Sequence, residues 1–250
     1  MTDNPIFILA HGSWHKPYMY DPLRKALAER GFTLITPVLP TMGNDATGIA
    51  WEADVQVILD EAKALFAKGR EVILIGHSYG GVPASVSTRG NGVAERKAAG
   101  LSGGFRHIIF LSSFAIPATG LTLISLIGGA FPEWVDVIEA PGKKQTRVNE
   151  KSIALFYNDL TPDKAQAIFD DLVPQSYAAV TQPVDFSVLE ITIPKTYIVC
   201  EKDLAFLPSD QRRLLTDVGM REASVNGGHS AFISVPDELA GVLAQIASDS

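Results

Sequence analysis

The sequence predicts an α/β fold: a mostly parallel sheet of about six strands flanked by helices, with a helical cap inserted after the strand at 106–111. Three observations carry this reading. Short, fully apolar runs rich in β-branched residues recur along the chain, and longer amphipathic stretches separate them. Strands apolar on both faces that alternate with helices belong to a parallel sheet covered on both sides. The rhythm lapses between about Ala115 and Glu190 and then resumes, which marks an insertion. Residues 1–114 and 191–250 are therefore read as the core, and 115–190 as the cap, of a single domain.

Ile6–Ala10 is the first strand and leads into a loop rich in Gly, His, Trp and Pro. Pro22–Arg30 places Leu23, Ala26 and Leu27 on one helical face, and Gly31 supplies a stop. Phe32–Thr36 is the second strand, ended by Pro37 and Pro40. Across Trp51–Lys68, Val55, Ile58, Leu59, Ala62, Leu65 and Phe66 keep the three-and-four spacing of a helix that Gly69 closes. Glu71–Ile75 is the third strand. Ser78–Ser87 then forms a helix, since Pro83 is tolerated near a first turn. Thr88–Gly104, rich in glycine and charge, reads as an exposed excursion before the strand Arg106–Leu111. Inside the insertion, Ser152–Tyr157 and Pro162–Leu172 read as short helices. Lys195–Cys200, Ser209–Val218, Arg221–Val225 and Pro236–Ala247 restore the alternation of strand and helix.

Composition narrows the function. A chain of 250 residues can bury a sizeable core without a disulfide or metal staple. The net charge of −7 argues against nucleic acid or an anionic membrane as partner, because both select basic surfaces. The single cysteine, Cys200, can form neither an intrachain disulfide nor a multi-cysteine zinc site, and reads as a small buried apolar residue. Met1–Pro5 carries acid rather than the cationic start of a signal peptide. No stretch approaches the roughly 18 apolar residues that a membrane helix requires. The expectation is a cytoplasmic globular protein.

The motif that carries chemistry is Gly76-His77-Ser78-Tyr79-Gly80-Gly81, which follows the third strand directly and opens a helix. A serine at a sharp strand-to-helix turn is forced outward at the carboxyl edge of the sheet. Such a hydroxyl needs a base. Of the five histidines, His229 stands out because Asn226-Gly-Gly-His-Ser230 follows the strand Arg221–Val225 and opens onto that edge. His77 sits inside the turn with its ring directed away from Ser78, and His107 reads as a packed residue at the edge of the core. The third member should be a carboxylate between the two in sequence. Asp203 and its rival Glu201 both follow the strand Lys195–Cys200, and Asp203 lies further into the loop, where a turn can aim it inward. Asp54 and Asp185 read as solvated surface acids. An oxyanion hole would draw one amide from Tyr79 and a second from Ser13, which Gly12 allows to approach closely. His11 and His15 invite a zinc reading, but they have no nearby carboxylate, and no metal or other cofactor is expected.

These motifs resemble the α/β-hydrolase superfamily and, more narrowly, the plant methylesterase and hydroxynitrile lyase family with its microbial relatives. The resemblance rests on Ile8–His15, Glu71–Gly81, Tyr197–Asp203 and Gly227–Ser230 and covers nearly the whole chain. It implies an α/β-hydrolase fold, a triad of Ser78, Asp203 and His229, an oxyanion hole from the Ser13 and Tyr79 amides, and a helical cap over the site. It also implies that Gly12 and the cap residue Trp134 contact substrate, and it allows a homodimer. Hydroxynitrile lyases of this group carry lysine after the histidine, where this chain has Ser230, and Thr or Asn where it has Gly12. Both departures favour hydrolysis.

The activity expected is a cofactor-free serine hydrolase acting on a small, largely apolar carboxylic ester or lactone through an acyl-enzyme. Phe131, Trp134 and Phe156 would roof its pocket. Two other classes compete. A cofactor-free lyase, cyclase or oxygenase would use His229 as base and Ser78 only for binding. A non-catalytic binding protein on the same scaffold would leave Ser78 unreactive toward fluorophosphonates.

Overall fold

The computed structural model describes residues 4–249, so most of Met1–Pro5 lies outside the described residues. The main sheet holds β1 (Ile6–Ala10), β2 (Thr33–Ile35), β3 (Glu71–His77), β4 (Gly104–Leu111), β8 (Lys195–Cys200) and β9 (Arg221–Val225). They pair in the order β2-β1-β3-β4-β8-β9, every pair parallel. All carboxyl ends therefore meet one edge, so the loops after Ala10, His77, Leu111, Cys200 and Val225 converge there. The strands are apolar on both faces because two cores sandwich them. Ile8, Leu74, Ile108 and Val199 face one core, and Phe7, Ile73, Ile109 and Ile198 the other.

The helix Trp51–Phe66 buries Trp51, Ile58, Ala62 and Phe66, and the helix Pro236–Asp249 buries Leu239, Leu243 and Ile246, each following the 3.6-residue period. The excursion after the helix Gly81–Ser87 is exposed in most of its residues but contains a short helix, Val93–Ala98. Among the described residues no helix is long and apolar enough to cross a membrane.

The cap differs from the helical insertion expected. Besides the helices Leu123–Leu126, Ile153–Phe156, Pro162–Asp170 and Tyr177–Thr181, it carries a three-stranded antiparallel sheet. Its strands are β5 (Val135–Ala140), β6 (Lys143–Val148) and β7 (Gln175–Ser176). Ala140 pairs with Lys143 across the two-residue turn Pro141-Gly142, where Gly142 has φ +70°. Proline followed by a left-handed glycine suits a type II turn. The strand β6, Lys-Lys-Gln-Thr-Arg-Val, has no apolar run to announce it, because the buried residues at its centre are Gln145 and Thr146.

Candidate active site

Ser78 begins the single 3₁₀ turn Ser78–Gly80 between β3 and the helix Gly81–Ser87. Its backbone is left-handed, with φ +52°. Among the described non-glycine residues only Trp14 (φ +63°), Ser78 and Ser112 (φ +39°) have positive φ, and all three lie at this sheet edge. Such conformations persist only where the surroundings hold them. The glycines make the turn sterically feasible. A Cβ on Gly76 would lie 2.5 Å from the Gly81 Cα, and one on Gly80 would overlap the Ala10 carbonyl. The backbone N–H of Phe114 and the hydroxyl of Ser113 both donate to the Ser78 carbonyl, at 3.1 and 2.8 Å.

His229 Nδ1 lies 2.9 Å from Asp203 Oδ2, and both residues are buried. A carboxylate only accepts, so Nδ1 carries a proton, and Nε2 is the nitrogen free to act on a substrate. The carboxylate of Asp203 is held on both oxygens. Oδ1 accepts from the Ala205 and Phe206 amides, at 2.8 and 2.9 Å. Oδ2 also accepts from the Ser112 hydroxyl and, at 3.2 Å, from Gln211 Nε2. Burial alone would raise this carboxyl's pKa, but His229, Ser112 and the Phe206 amide outweigh it and hold the group below its ordinary value. The rival Glu201 points outward, paired with Arg212 at 2.5 Å.

The loop after β1 is fixed by histidines. His11 Nδ1 bonds the Gly12 carbonyl at 3.1 Å, and His15 Nδ1 bonds the Ser13 carbonyl at 2.8 Å. Carbonyls only accept, so both rings are protonated at Nδ1, and each accepts at Nε2. His11 accepts there from the Leu39 amide (3.3 Å) and His15 from the Tyr157 hydroxyl (3.0 Å). Burial lowers their pKa values to about 4 and about 3, so both rings are neutral. In a trans peptide the N–H opposes the carbonyl, so anchoring the Gly12 carbonyl aims the Ser13 N–H the other way. The flanking amides are engaged, Gly12 N–H with Tyr20 Oη (3.0 Å) and Trp14 N–H with Met42 Sδ (3.2 Å).

His77 ties these pieces together. Its Nε2 donates to the His229 carbonyl at 3.0 Å, and its Nδ1 accepts from the Tyr20 hydroxyl at 2.7 Å. Burial, with His229 and His15 nearby, pushes its pKa far below the usual range and keeps the ring neutral. Asp54, expected on the surface, is instead fully buried. It accepts from the Tyr79 hydroxyl (2.6 Å), the Thr41 hydroxyl (2.7 Å) and the Thr41 amide (3.0 Å). It sits in the first turn of Trp51–Phe66 on that helix's inner face, beside Trp51 and Ile58. Burial raises its pKa to about 6 against those hydrogen bonds.

Ser13, Ser78 and His229 line one cavity of about 270 Å³, otherwise mostly apolar, with Phe131, Trp134 and Phe156 in its wall. Phe156 stacks on the His229 ring at 5.2 Å between centroids, and Trp134 meets Phe156 edge-on, also at 5.2 Å. Gly12, expected to contact substrate, does not line this cavity. It faces the elbow instead, and an added Cβ would lie 2.8 Å from His77 Nδ1. Two cap residues latch the loops from above. Asp159 Oδ2 accepts from the Gly228 amide at 2.6 Å, and Asn158 Nδ2 donates to the Lys202 carbonyl at 3.0 Å. The motifs brought Ser78, Asp203, His229, Ser13 and Trp134 to attention, but not Tyr20, Ser112, Asp159 or Gln211. Their one available signal was position, Ser112 directly after β4 and Gln211 one helical turn into Pro208–Asp217.

The sequence model described as the alpha/beta hydrolase family matches residues 7–242. The chain is 23% identical over 235 residues to the alpha/beta hydrolase nvfD of Aspergillus novofumigatus, covering 93% of this chain and 92% of that protein. It is 27% identical over 257 residues to the carbendazim hydrolyzing esterase of Nocardioides sp., covering 96% and 98%. Among solved structures, a methylesterase from Arabidopsis superposes with a TM-score of 0.74 at 18% identity, covering 98% of this chain and all of that one.

Proposed function

Because the chain belongs to the alpha/beta hydrolase family and is a hydrolase-type enzyme, we propose that it cleaves a small, largely apolar carboxylic ester or lactone through a covalent acyl-enzyme. The observation that carries this reading is that Ser78 and His229 face one apolar cavity while Asp203 binds the far nitrogen of the histidine. Similarity to a carbendazim hydrolyzing esterase supports it.

In this mechanism His229 Nε2 takes the Ser78 proton as the hydroxyl attacks the ester carbonyl carbon. The carbonyl oxygen becomes an oxyanion facing the Ser13 and Tyr79 amides. Tyr79 N–H suits that role because the first amides of a helical turn lack intrahelical partners. The imidazolium, stabilised by ionised Asp203, then returns its proton to the leaving alcohol as the tetrahedral intermediate collapses. Water, deprotonated by the same ring, attacks the acyl carbon, and the imidazolium returns that proton to Ser78 Oγ as the bond to the acyl group breaks and the acid leaves. The apolar wall excludes bulk water and disfavours charged substrates.

The test is Ser78→Ala against p-nitrophenyl acetate. A loss of about 10³-fold or more in kcat is expected, with unfolding unchanged. Retention of most activity would refute the mechanism.

A further inference from the structure

A second cavity, about 510 Å³, adjoins the first on the sheet's carboxyl edge. The two share Phe114, Ile127, Ala205 and Phe206. These four residues are the partition between a chamber that contains Ser78 and His229 and a groove that reaches the surface. The rings of Phe114 and Phe206 stack at its centre, with centroids 5.3 Å apart and planes 12° from parallel.

The construction of this partition is specific. The Phe114 amide bonds the Ser78 carbonyl, and the Phe206 amide bonds Asp203 Oδ1. Both backbones are thus pinned to residues of the proposed triad, while both rings are only partly buried. Such a wall can open by rotation of two side chains, a fast local motion, without displacing the triad. A partition of backbone could not.

The far side of the groove is lined by Leu204 and Leu207, 50% and 48% exposed, and by partly buried Leu126 and Leu214. Leucines exposed together beside a cavity mark a binding surface more often than leucines scattered singly. Its charged groups are Asp210, Arg213 and Asp217. Arg213 is already paired with Asp210 at 3.1 Å, so an acidic excess remains.

We propose that this groove is a second substrate chamber. It takes the distal arm of the ester whose carbonyl seats at Ser78, and that arm is an uncharged alkyl or aryl chain passing between the displaced rings of Phe114 and Phe206. The occupant follows from continuity with the first chamber, from the leucine lining and from the acidic excess, which repels a carboxylate-bearing arm. The proposal rests on the esterase reading and revises the size of its substrate from a small ester to an extended apolar one, larger than the first chamber alone would admit.

Two ester series test it in the full-length protein. One lengthens the acyl chain on p-nitrophenol and the other lengthens the alcohol in n-alkyl acetates. Burying each further methylene is worth roughly threefold to fourfold. In one series kcat/KM of the wild type should therefore climb again after the length that fills the first chamber, and the series that climbs identifies the arm. Leu207→Glu, at an exposed position whose backbone alone caps the following helix, should lower the ratio of long-ester to acetate kcat/KM by about tenfold. Fluorophosphonate titration of Ser78 normalises for folded enzyme. Acetate hydrolysis with no second climb in either series, or with a ratio that Leu207→Glu leaves unchanged, overturns the second chamber alone. Wild-type protein that cleaves no ester in either series overturns the esterase reading and the chamber with it.

Discussion

The Tyr20 hydroxyl lies 2.7 Å from His77 Nδ1 and can only be its donor, because the other nitrogen of that ring donates to the His229 carbonyl. The same Tyr20 oxygen accepts from the Gly12 amide. One chain of hydrogen bonds with a single allowed direction therefore runs from the loop after β1, through the elbow, to the backbone of the candidate base. Stacking on Phe232, with ring centroids 3.9 Å apart, fixes Tyr20 in place.

Tyr20→Phe keeps that stack and removes the hydroxyl, leaving the Gly12 N–H and His77 Nδ1 buried and unpaired. Unsatisfied buried groups cost about 1–3 kcal/mol each. The variant should unfold at lower denaturant and lose about tenfold in kcat with little change in KM, because the substrate cavity itself is intact. Kinetics on p-nitrophenyl acetate alongside a urea titration check this. A change confined to KM would show that the chain does not position the reacting groups.

Asp203→Asn and Glu201→Gln separate the two carboxylates of one loop. An amide at 203 cannot stabilise the imidazolium, and it favours the wrong histidine tautomer, for which a loss of about 10⁴-fold in kcat is the precedent in a serine protease. Glu201→Gln loosens an exposed pair with Arg212, a contact worth well under about 1 kcal/mol. Steady-state kinetics of the two variants decide the assignment, and equal losses would reject it.

The sheet was legible because strands apolar on both faces stand out as short, continuous apolar runs between amphipathic stretches, and the elbow because glycine is sterically required at Gly76 and Gly80. Asp203 was legible from its place after β8. What escaped was polar and buried. Asp54 reads as surface because acids usually are, yet its helix turns it toward Tyr79. Ser112 and Tyr20 work through hydrogen bonds to partners that lie 91 and 57 residues away. The strand β6 hid because its interior side chains are Gln145 and Thr146. Periodicity reports hydrophobic burial, and it is blind to polar groups buried by pairing.

Asp159 offers a test of the cap as a brace for the histidine loop. Asp159→Ala deletes the acceptor of the Gly228 amide, one residue before His229. A hydrogen bond to a charged group is worth about 1.5–3 kcal/mol, so kcat should fall by about tenfold. Asp159→Asn, whose amide oxygen still accepts, should recover most of the rate. Equal loss in both variants would mean that the charge, rather than the bond to Gly228, is what matters.

Asp54 makes a prediction about pH. Its carboxyl has a pKa near 6 in the folded chain against 3.8 in its ordinary state, because burial opposes the charge more than Tyr79 and Thr41 favour it. A folded pKa above the unfolded one means that the folded state holds the proton more tightly. The resulting stabilisation is complete below pH of about 4 and is lost as pH rises through about 6. A difference of that size corresponds to roughly 3 kcal/mol. In Asp54→Asn nothing titrates at this site, and its amide oxygen can still accept one of the bonds. The stability of the wild type relative to Asp54→Asn should therefore fall by on the order of 2–3 kcal/mol between pH 4 and pH 7.5. Denaturant unfolding of both proteins across that range measures the difference. A difference that stays constant, or that grows with pH, would mean that Asp54 is held ionised by its hydrogen bonds throughout.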